Sequence, residues 1–212
     1  MPFDDVITDL DGLREIYPQP HPIVVDKGID HIDEAAAGFI ARSPFVALGT
    51  YGPGGGDVSP RGGPPGFVTV LDEKRIALGD LIGNRRLDSY TNMIEDGRVG
   101  LLFLVPGLGE TLRVNGTAYL TTNPEVLDAV SFPGVKATAA LGIDVDEVFL
   151  HCAKAFRRSK LWDPESWAAK EDRPSPGVIL KAHAGIAEVT PEQIEASLEA
   201  DYVEDHLWLA GQ

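Results

Sequence analysis

Short strand-forming segments follow one another between Phe45 and Leu120, and most of the linkers between them cannot hold a crossover helix. Residues 45–51 and 67–71 are apolar runs, and residues 75–78 follow the second run after the turn-forming Asp72-Glu73-Lys74. Parallel strands need a connection of about a dozen residues or more, so hairpin-length linkers favour antiparallel pairing. We therefore expect an antiparallel β-barrel with peripheral helices, not a doubly wound parallel sheet.

Four further segments complete the predicted set of strands. Residues 57–62 (DVSPRG) resemble a strand, and Pro60 places it at an edge or a bulge because proline cannot donate to a strand ladder. Residues 98–105 form a buried apolar run, residues 111–120 alternate in polarity, and residues 148–156 alternate weakly as the last strand.

Helical segments are predicted on both sides of the strands and between them. Each is marked by a capping residue or a proline in the first turn. We expect one domain over residues 1–212, with helical extensions at 1–43 and 163–212. The predicted helices are residues 8–17, a helix capped by Asp30 and stopped by Pro44, one capped by Asn84, one opened by Asn123-Pro124-Glu125, one opened by Asp163-Pro164-Glu165, and one from Thr190 to about Asp205.

The net charge excludes several classes of partner. With 18 Lys and Arg against 33 Asp and Glu, the chain carries a formal charge of −15, which disfavours nucleic acid and anionic membranes. Its single cysteine, Cys152, excludes an internal disulfide and any multi-cysteine metal site, and we expect it to be a small buried side chain. No metal site is expected from the scattered histidines. Without a signal-peptide pattern or a long apolar run, we expect a cytoplasmic protein.

The positive charges are concentrated in the middle of the chain. No lysine or arginine follows Lys181, whereas residues 151–160 (HCAKAFRRSK) contain four cations and no acid. These cations either pair with acidic neighbours or form a local anion site inside an acidic molecule. The second alternative would suit a small phosphorylated ligand and not a polyanion.

Gly83-Asn84-Arg85-Arg86 is the strongest candidate for such a site. If Asn84 caps a helix, both arginines fall in its first turn, where the helix dipole makes an exposed cation cost about 0.3–1 kcal/mol. A phosphate bound there would turn that cost into attraction, with backbone N–H groups assisting. The alternative is that the arginines form salt bridges with Asp80 or Asp88.

Two more segments carry candidate binding residues. Arg61 lies between Pro60 and two glycines, with the Ser59 hydroxyl nearby, although a turn with a solvated arginine would look the same. Residues 151–162 interleave cations with Phe156 and Trp162, which could hold an aromatic anion or form the basic outer face of a strand. The chain lacks the dinucleotide fingerprint, the P-loop, the G-x-S-x-G elbow and H-E-x-x-H.

In order and spacing, residues 57–120 resemble the pyridoxamine 5'-phosphate oxidase-like, FMN-binding split-barrel flavoproteins, and residues 151–162 resemble the late strand of one subgroup. The resemblance implies a mainly β fold with flanking helices (α+β), an antiparallel split barrel of about six strands. It also implies a homodimer with two FMN sites at the subunit interface.

The resemblance further implies roles for individual residues. Residues 59–62 (Ser59, Pro60, Arg61 and Gly62) would run beside the flavin. Asn84, Arg85 and Arg86 would hold the FMN phosphate. Gly79 and Asp80 would border the ribityl chain or the ring, Thr111 and Arg113 would approach from the partner subunit, and Lys154, Arg158 and Trp162 would close the site.

One departure bears on the substrate. True pyridoxamine phosphate oxidases end with an arginine-containing segment that contacts the vitamin, whereas no arginine follows Arg173 in this chain. The resemblance therefore implies the uncharacterised branch of the family, and argues against vitamin B6 oxidation.

The leading hypothesis is an FMN-dependent oxidoreductase that uses a small-molecule substrate or a nicotinamide donor. No catalytic acid or base is assigned, and His151 and Lys154 are candidates only if they face the ring. The alternative is a non-catalytic protein that binds, stores or senses flavin, haem or deazaflavin. Haem would require an axial ligand, for which His151 is the histidine in the core pattern.

Overall fold

The computed structural model describes residues 3–81, 83–132 and 136–204. They divide into two compact units, the first ending at Arg158 and the second beginning at Ser159. The single domain expected over residues 1–212 stays a prediction.

The first unit is built on one antiparallel sheet, which confirms the predicted class. Seven strands lie in the order β2-β1-β5-β6-β7-β4-β3, one strand more than the family resemblance implies. Every neighbouring pair is antiparallel. The strands are β1 (Phe45–Gly52), β2 (Gly55–Gly62), β3 (Val68–Asp72), β4 (Arg75–Gly79), β5 (Arg98–Leu104), β6 (Thr111–Thr121) and β7 (Ala140–His151).

The sheet is open, with β2 and β3 at its two edges. Pro60 lies in β2, which confirms the edge position predicted from its missing N–H. On the other strand of that hairpin, Val46 and Leu48 are fully buried while Ala47 between them is half-buried. This alternation gives the sheet one face toward the core and one face outward.

The last strand is predicted too far along the chain. β7 begins at Ala140 and ends at His151, and residues 154–159 are helical instead of extended. Lys154, Arg157 and Arg158 lie on this helix, so the apparent alternation of HCAKAFRRSK is not a strand pattern. The expected burial of Cys152 is also wrong, because this residue follows the strand end and is exposed.

Six helices accompany the sheet in the described part of the first unit. Asp33, and not Asp30, caps the third helix by accepting from the Ala36 N–H at 2.7 Å. Asp30 instead pairs with Lys74 at 2.8 Å. The helices are α1 (Leu10–Ile16), α2 (Pro22–Asp26), α3 (Glu34–Ile40), α4 (Asp88–Glu95), α5 (Pro124–Val130) and α6 (Lys154–Ser159).

The core lies between the inner face of the sheet and helices α3 and α4. Its fully buried members are aliphatic and aromatic side chains from several strands and from α3, among them Ile40, Val46, Leu48, Ile76, Leu101, Phe103, Leu141 and Ile143. Burying side chains of this size contributes roughly 1.5–3 kcal/mol each. The core therefore holds the strands in register and positions the helices that border the site.

The second unit is helical. After short 3-10 turns at Pro164–Ser166 and Lys170–Asp172, it contains α7 (Pro176–Ala184) and α8 (Pro191–Glu204). The capping box predicted at Thr190 is confirmed, since Thr190 and Gln193 exchange side-chain and backbone hydrogen bonds at 2.8 and 3.3 Å. The helix predicted at Asp163 is only a 3-10 turn. The predicted end near Asp205 lies outside the described residues.

Across the described ranges, no helix is both long enough and apolar enough to cross a membrane.

Two glycines in the sheet provide a matched test of the described packing. A Cβ at Gly116 would lie 2.1 Å from the Asp144 carbonyl oxygen, whereas a Cβ at Gly142 would meet nothing within 4 Å. We expect Gly116→Ala to lower the free energy of unfolding by about 1–3 kcal/mol. Gly142→Ala should change it by less than about 0.5 kcal/mol or raise it. Urea denaturation measures both, and equal midpoints for the two variants would contradict the close approach.

Candidate functional site

The inner side of edge strand β2 presents a row of polar residues. Asp57, Ser59 and Arg61 are half-buried, and the intervening Val58 and Pro60 are exposed on the other face. Helix α4 lies against β1, β2 and β6 and places buried Ser89 and Tyr90 opposite this row. The candidate site is therefore a polar seam between an edge strand and a helix.

Arg61, Tyr90 and Asp80 form the central hydrogen-bonded chain of this seam. Arg61 Nη1 donates to the Tyr90 hydroxyl at 3.2 Å, and its guanidinium carbon lies 5.1 Å from the centre of the Tyr90 ring. The Tyr90 hydroxyl in turn donates to the Asp80 carboxylate. Asp80 directly follows β4, which is far from β2 in the strand order, so this chain joins distant parts of the open sheet.

The Arg61 guanidinium has unused hydrogen-bonding capacity. Its Nε is buried and has no partner among the described residues, and no carboxylate in that part of the chain forms an ion pair with it. A buried donor left unpaired costs about 1–3 kcal/mol, and more when it is charged. An anionic ligand would satisfy this donor, so the residues present fit a phosphate-bearing cofactor.

Tyr90 acts as a neutral spacer between a cation and an anion. The pKa of Tyr90 is raised well above its ordinary value, mainly by burial of the phenol and to a smaller extent by its hydrogen bond to Asp80. The positive charge of Arg61 acts in the opposite direction. The phenol therefore keeps its proton at physiological pH. It donates to Asp80 and accepts from Arg61, which holds the guanidinium without neutralising it.

A second chain of hydroxyl groups runs beside the first. The Ser59 and Ser89 hydroxyl oxygens lie 3.0 Å apart, and Ser89 Oγ donates to Asp57 Oδ2 at 3.3 Å. The resemblance gave a role to Ser59, and the structure adds Ser89 and Asp57 as its neighbours.

The loop before α4 differs from the predicted helix start. The helix begins at Asp88, so Arg85 and Arg86 precede its first turn, and the argument that placed them on the helix dipole is wrong. Asn84 does not cap the helix, because its side chain accepts from the Arg86 N–H at 3.0 Å within the loop. This local Asx-type bond competes with the helical conformation.

The two arginines of this loop have different surroundings. Arg86 Nε donates to Asp88, as the salt-bridge alternative predicted. Arg85 is exposed, has a φ of 58° and forms no hydrogen bond or ion pair within the described ranges. Leu87 also has a positive φ, of 63°. Left-handed residues other than glycine are costly and often mark functional turns, so Arg85 is the stronger anion-binding candidate in this loop.

The remaining predicted residues are distributed over other parts of the structure. Gly62 and Pro60 are exposed at the edge, while Gly79 packs closely, since a Cβ there would lie 3.0 Å from Ala137 Cβ. Thr111 is buried at the start of β6, and Arg113 lies on the exposed face of that strand. Arg113 Nε donates to Asn115 Oδ1 at 3.4 Å, and no hydrogen bond in the described part of the chain joins Arg113 to the polar residues of the seam.

The residues expected to close the site are not on a strand. Lys154 and Arg158 are exposed on α6, and Trp162 belongs to the second unit. His151 is exposed at the end of β7, so its predicted place in the core is wrong.

Sequence reasoning missed Tyr90 as a site residue. The helical spacing assigns it to the apolar face of α4, which is correct for its ring. The overlooked signal is that a buried tyrosine hydroxyl usually has a hydrogen-bond partner, and Arg61 on β2 and Asp80 after β4 are the partners here.

Comparison with known proteins identifies one family. The family described as "Pyridoxamine 5'-phosphate oxidase" matches residues 32–152, more than half of the chain. Among curated proteins, none matches the sequence.

Several solved structures are similar to part of the chain. HupZ from group A Streptococcus has 17% identity and a TM-score of 0.46, over 56% of this chain and 93% of its own. An FMN-binding protein from Syntrophomonas wolfei has 12% identity and a TM-score of 0.43, over 57% and 86%. A Clostridium acetobutylicum protein related to general stress protein 26 has 14% identity and a TM-score of 0.43, over 55% and 85%.

The raised pKa of Tyr90 predicts a pH-dependent effect of Tyr90→Phe. Below pH 9 the variant should lose about 1–3 kcal/mol of stability, because Arg61 and Asp80 lose their shared partner. Above pH 10 the Tyr90 hydroxyl loses its proton in the unfolded wild type but keeps it in the native state. The free energy of unfolding of the wild type therefore falls as pH rises. The deficit of the variant should therefore shrink by about 1 kcal/mol between pH 9 and 11, after allowance for solvent screening. Urea midpoints at both pH values measure it.

Tyr119→Phe is the control, because Tyr119 is half exposed on β6 and has no part in this chain. A deficit of Tyr90→Phe that is the same at pH 9 and pH 11 would contradict the buried neutral phenol.

Proposed function

Because the chain belongs to the pyridoxamine 5'-phosphate oxidase family, we propose that it is an FMN-dependent oxidoreductase that acts on a small molecule. The observation that carries this proposal is the buried, unpartnered Nε of Arg61 in the seam between β2 and α4. FMN is the cofactor that the sequence resemblance implies. Its phosphate oxygens are hydrogen-bond acceptors of the kind that Arg61 Nε is without. The flavin, when bound, would supply hydride or electron transfer.

The residues of the seam have distinct proposed tasks. Arg61 and Arg85 attract the phosphate, with Arg86 nearby in its ion pair with Asp88. Tyr90 and Asp80 fix the orientation of Arg61, so little side-chain entropy is lost when the anion binds. As the resemblance implies, Ser59, Asn84 and the backbone of residues 60–62 and 79 would contact the rest of the cofactor. A further set of residues is proposed to contact the flavin on the ground of the resemblance alone: Thr111, Arg113, Lys154, Arg158 and Trp162.

A purely flavin-binding role is the second candidate. The specific observation behind it is the Arg61 Nε, which lacks a partner among the described residues and needs only an anion to bind, whether or not a reaction follows. A protein that retains FMN, but whose flavin is reduced neither by nicotinamide cofactors nor by small substrates, would favour storage or sensing.

We also propose that the protein is a homodimer. The outward face of β1, β2 and β5 is formed by small and apolar residues that align across the strands, in the rows Val58–Gly49–Gly100 and Pro60–Ala47–Leu102. Val58 is 72% exposed on this face. An apolar sheet face of this kind is suited to burial against a second copy, which is the arrangement that the resemblance implies.

Replacement of the proposed phosphate ligands tests the cofactor. Arg61→Gln and Arg85→Gln should each weaken FMN binding roughly tenfold to hundredfold, since each removes a charge-assisted hydrogen bond. Arg75→Gln is the control, because Arg75 is paired with Asp72 at the β3–β4 turn. Titration of the purified protein with FMN, followed near 450 nm, gives the affinities. A wild type that ignores added FMN, or two variants that bind as tightly as Arg75→Gln, would reject the proposal.

A charge placed on the sheet face tests the dimer. Val58→Asp should convert the protein to monomers, because an aspartate would be buried without a partner at the interface. Light scattering after size-exclusion chromatography gives the mass. Ile94→Asp is the control, as Ile94 is 75% exposed on α4, away from that face. A Val58→Asp variant that keeps the mass of the wild type would show that this face does not associate.

A further inference from the structure

We propose that Lys27, Arg113 and His151, arranged around Phe149, form a second anion site that takes a small carboxylate- or phosphate-bearing molecule. This group of four residues is called the Phe149 cluster. That the molecule is the substrate rests on the proposed flavin function, whereas binding of the anion does not.

The cluster is assembled by the pairing of β6 with β7. Arg113 lies directly opposite Phe149 in the register, and its guanidinium carbon is 5.3 Å from the centre of the Phe149 ring. Lys27 Nζ is 5.2 Å from the same centre and donates to the Leu150 carbonyl at 2.7 Å. The His151 ring follows on the same side of β7, with its centre 6.2 Å from that of Phe149. Cationic and ionisable groups from three segments therefore converge on one half-buried ring.

Glu147 approaches Arg113 through an intervening side-chain amide. Asn115 accepts from Arg113 Nε at 3.4 Å and donates to Glu147 Oε2 at 2.7 Å. The amide thus lies between Arg113 and Glu147 Oε2, and within the described ranges Arg113 forms no ion pair. The terminal nitrogens of Arg113 stay available to a ligand.

Among the described residues, three arginines lie over an aromatic ring, and two of them, Arg61 and Arg113, form no ion pair. Arg75, Arg86 and Arg98 each pair with an aspartate within three residues along the chain. Arg98 also lies over an aromatic ring, that of Tyr51 at 6.0 Å, yet its charge is compensated by Asp96. Lys27 and Arg113 differ from Arg98 in that both lie over one ring and neither forms an ion pair among the described residues, so an anion placed there would meet two uncompensated charges.

The chemistry of the cluster selects the class of ligand. The planar guanidinium fork matches the oxygens of a carboxylate or phosphate, and a neighbouring ammonium adds a point charge. Long polyanions are disfavoured by the acidic total charge. A small molecule with one or two oxyanion groups is therefore the expected occupant.

Calorimetric titration of the full chain with benzoate, benzamide and inorganic phosphate, with and without FMN, tests this site. Benzoate carries the carboxylate, benzamide is its neutral analogue, and phosphate distinguishes the two oxyanions. We expect benzoate or phosphate to bind roughly tenfold or more tightly than benzamide. Lys27→Met and Arg113→Gln should each weaken that binding by about tenfold or more, and Arg98→Gln should leave it unchanged.

The outcomes separate this site from the cofactor site. If benzoate and benzamide bind equally, or if neither anion binds, the second anion site is rejected. It is also rejected if Lys27→Met weakens FMN binding as strongly as it weakens anion binding, since the cluster would then hold the cofactor phosphate. If the anions bind as expected while FMN does not bind at all, the second site stands and the proposed flavin function fails.

Discussion

The hydroxyl of Tyr90 joins parts of the structure that the sheet leaves apart. β2 lies at one edge of the sheet, and β4 lies next to the other edge, yet Arg61 of β2 and Asp80 after β4 share this one hydroxyl as a partner. Backbone hydrogen bonds do not link these two strands, so on this side the distant parts of the sheet are joined by side chains. The same contact orients the charged guanidinium of Arg61, whose Nε has no hydrogen-bond partner among the described residues. The fold and the candidate anion site therefore depend on the same few atoms.

Much of the sheet could be predicted because its determinants are local. Short linkers require antiparallel pairing, Pro60 requires an edge, and Thr190 with Gln193 caps a helix through residues that are close in sequence. The errors occur where two local signals compete. Asn84 can cap a helix or close a turn on the Arg86 N–H, and the turn prevails. Residues 154–159 show no clear helical or strand periodicity in hydrophobicity. They form helix α6, whereas the predicted last strand continues to residue 156.

The site was predictable in part. Glycine, proline and charge placement mark Arg61 and the arginine pair as candidates, and the family resemblance adds Asp80, but neither reveals the partners of these residues. Arg86 and Asp88 are close in sequence, whereas Tyr90 meets Arg61 from 29 residues away, through a helix whose position depends on the core. The uncompensated charge of Arg113 depends on Asn115 and Glu147 meeting across two strands, which no local pattern reveals.

Pro60 on the edge strand also affects how molecules of this protein can meet. An edge with a full row of backbone donors and acceptors can recruit another strand and extend the sheet from one molecule to the next. Proline removes a donor from β2, and the inward-facing charge of Arg61 adds a penalty for any pairing that would shift the register. Growth of the sheet into aggregates is thereby discouraged at this edge, and contact between molecules is directed to the faces of the sheet.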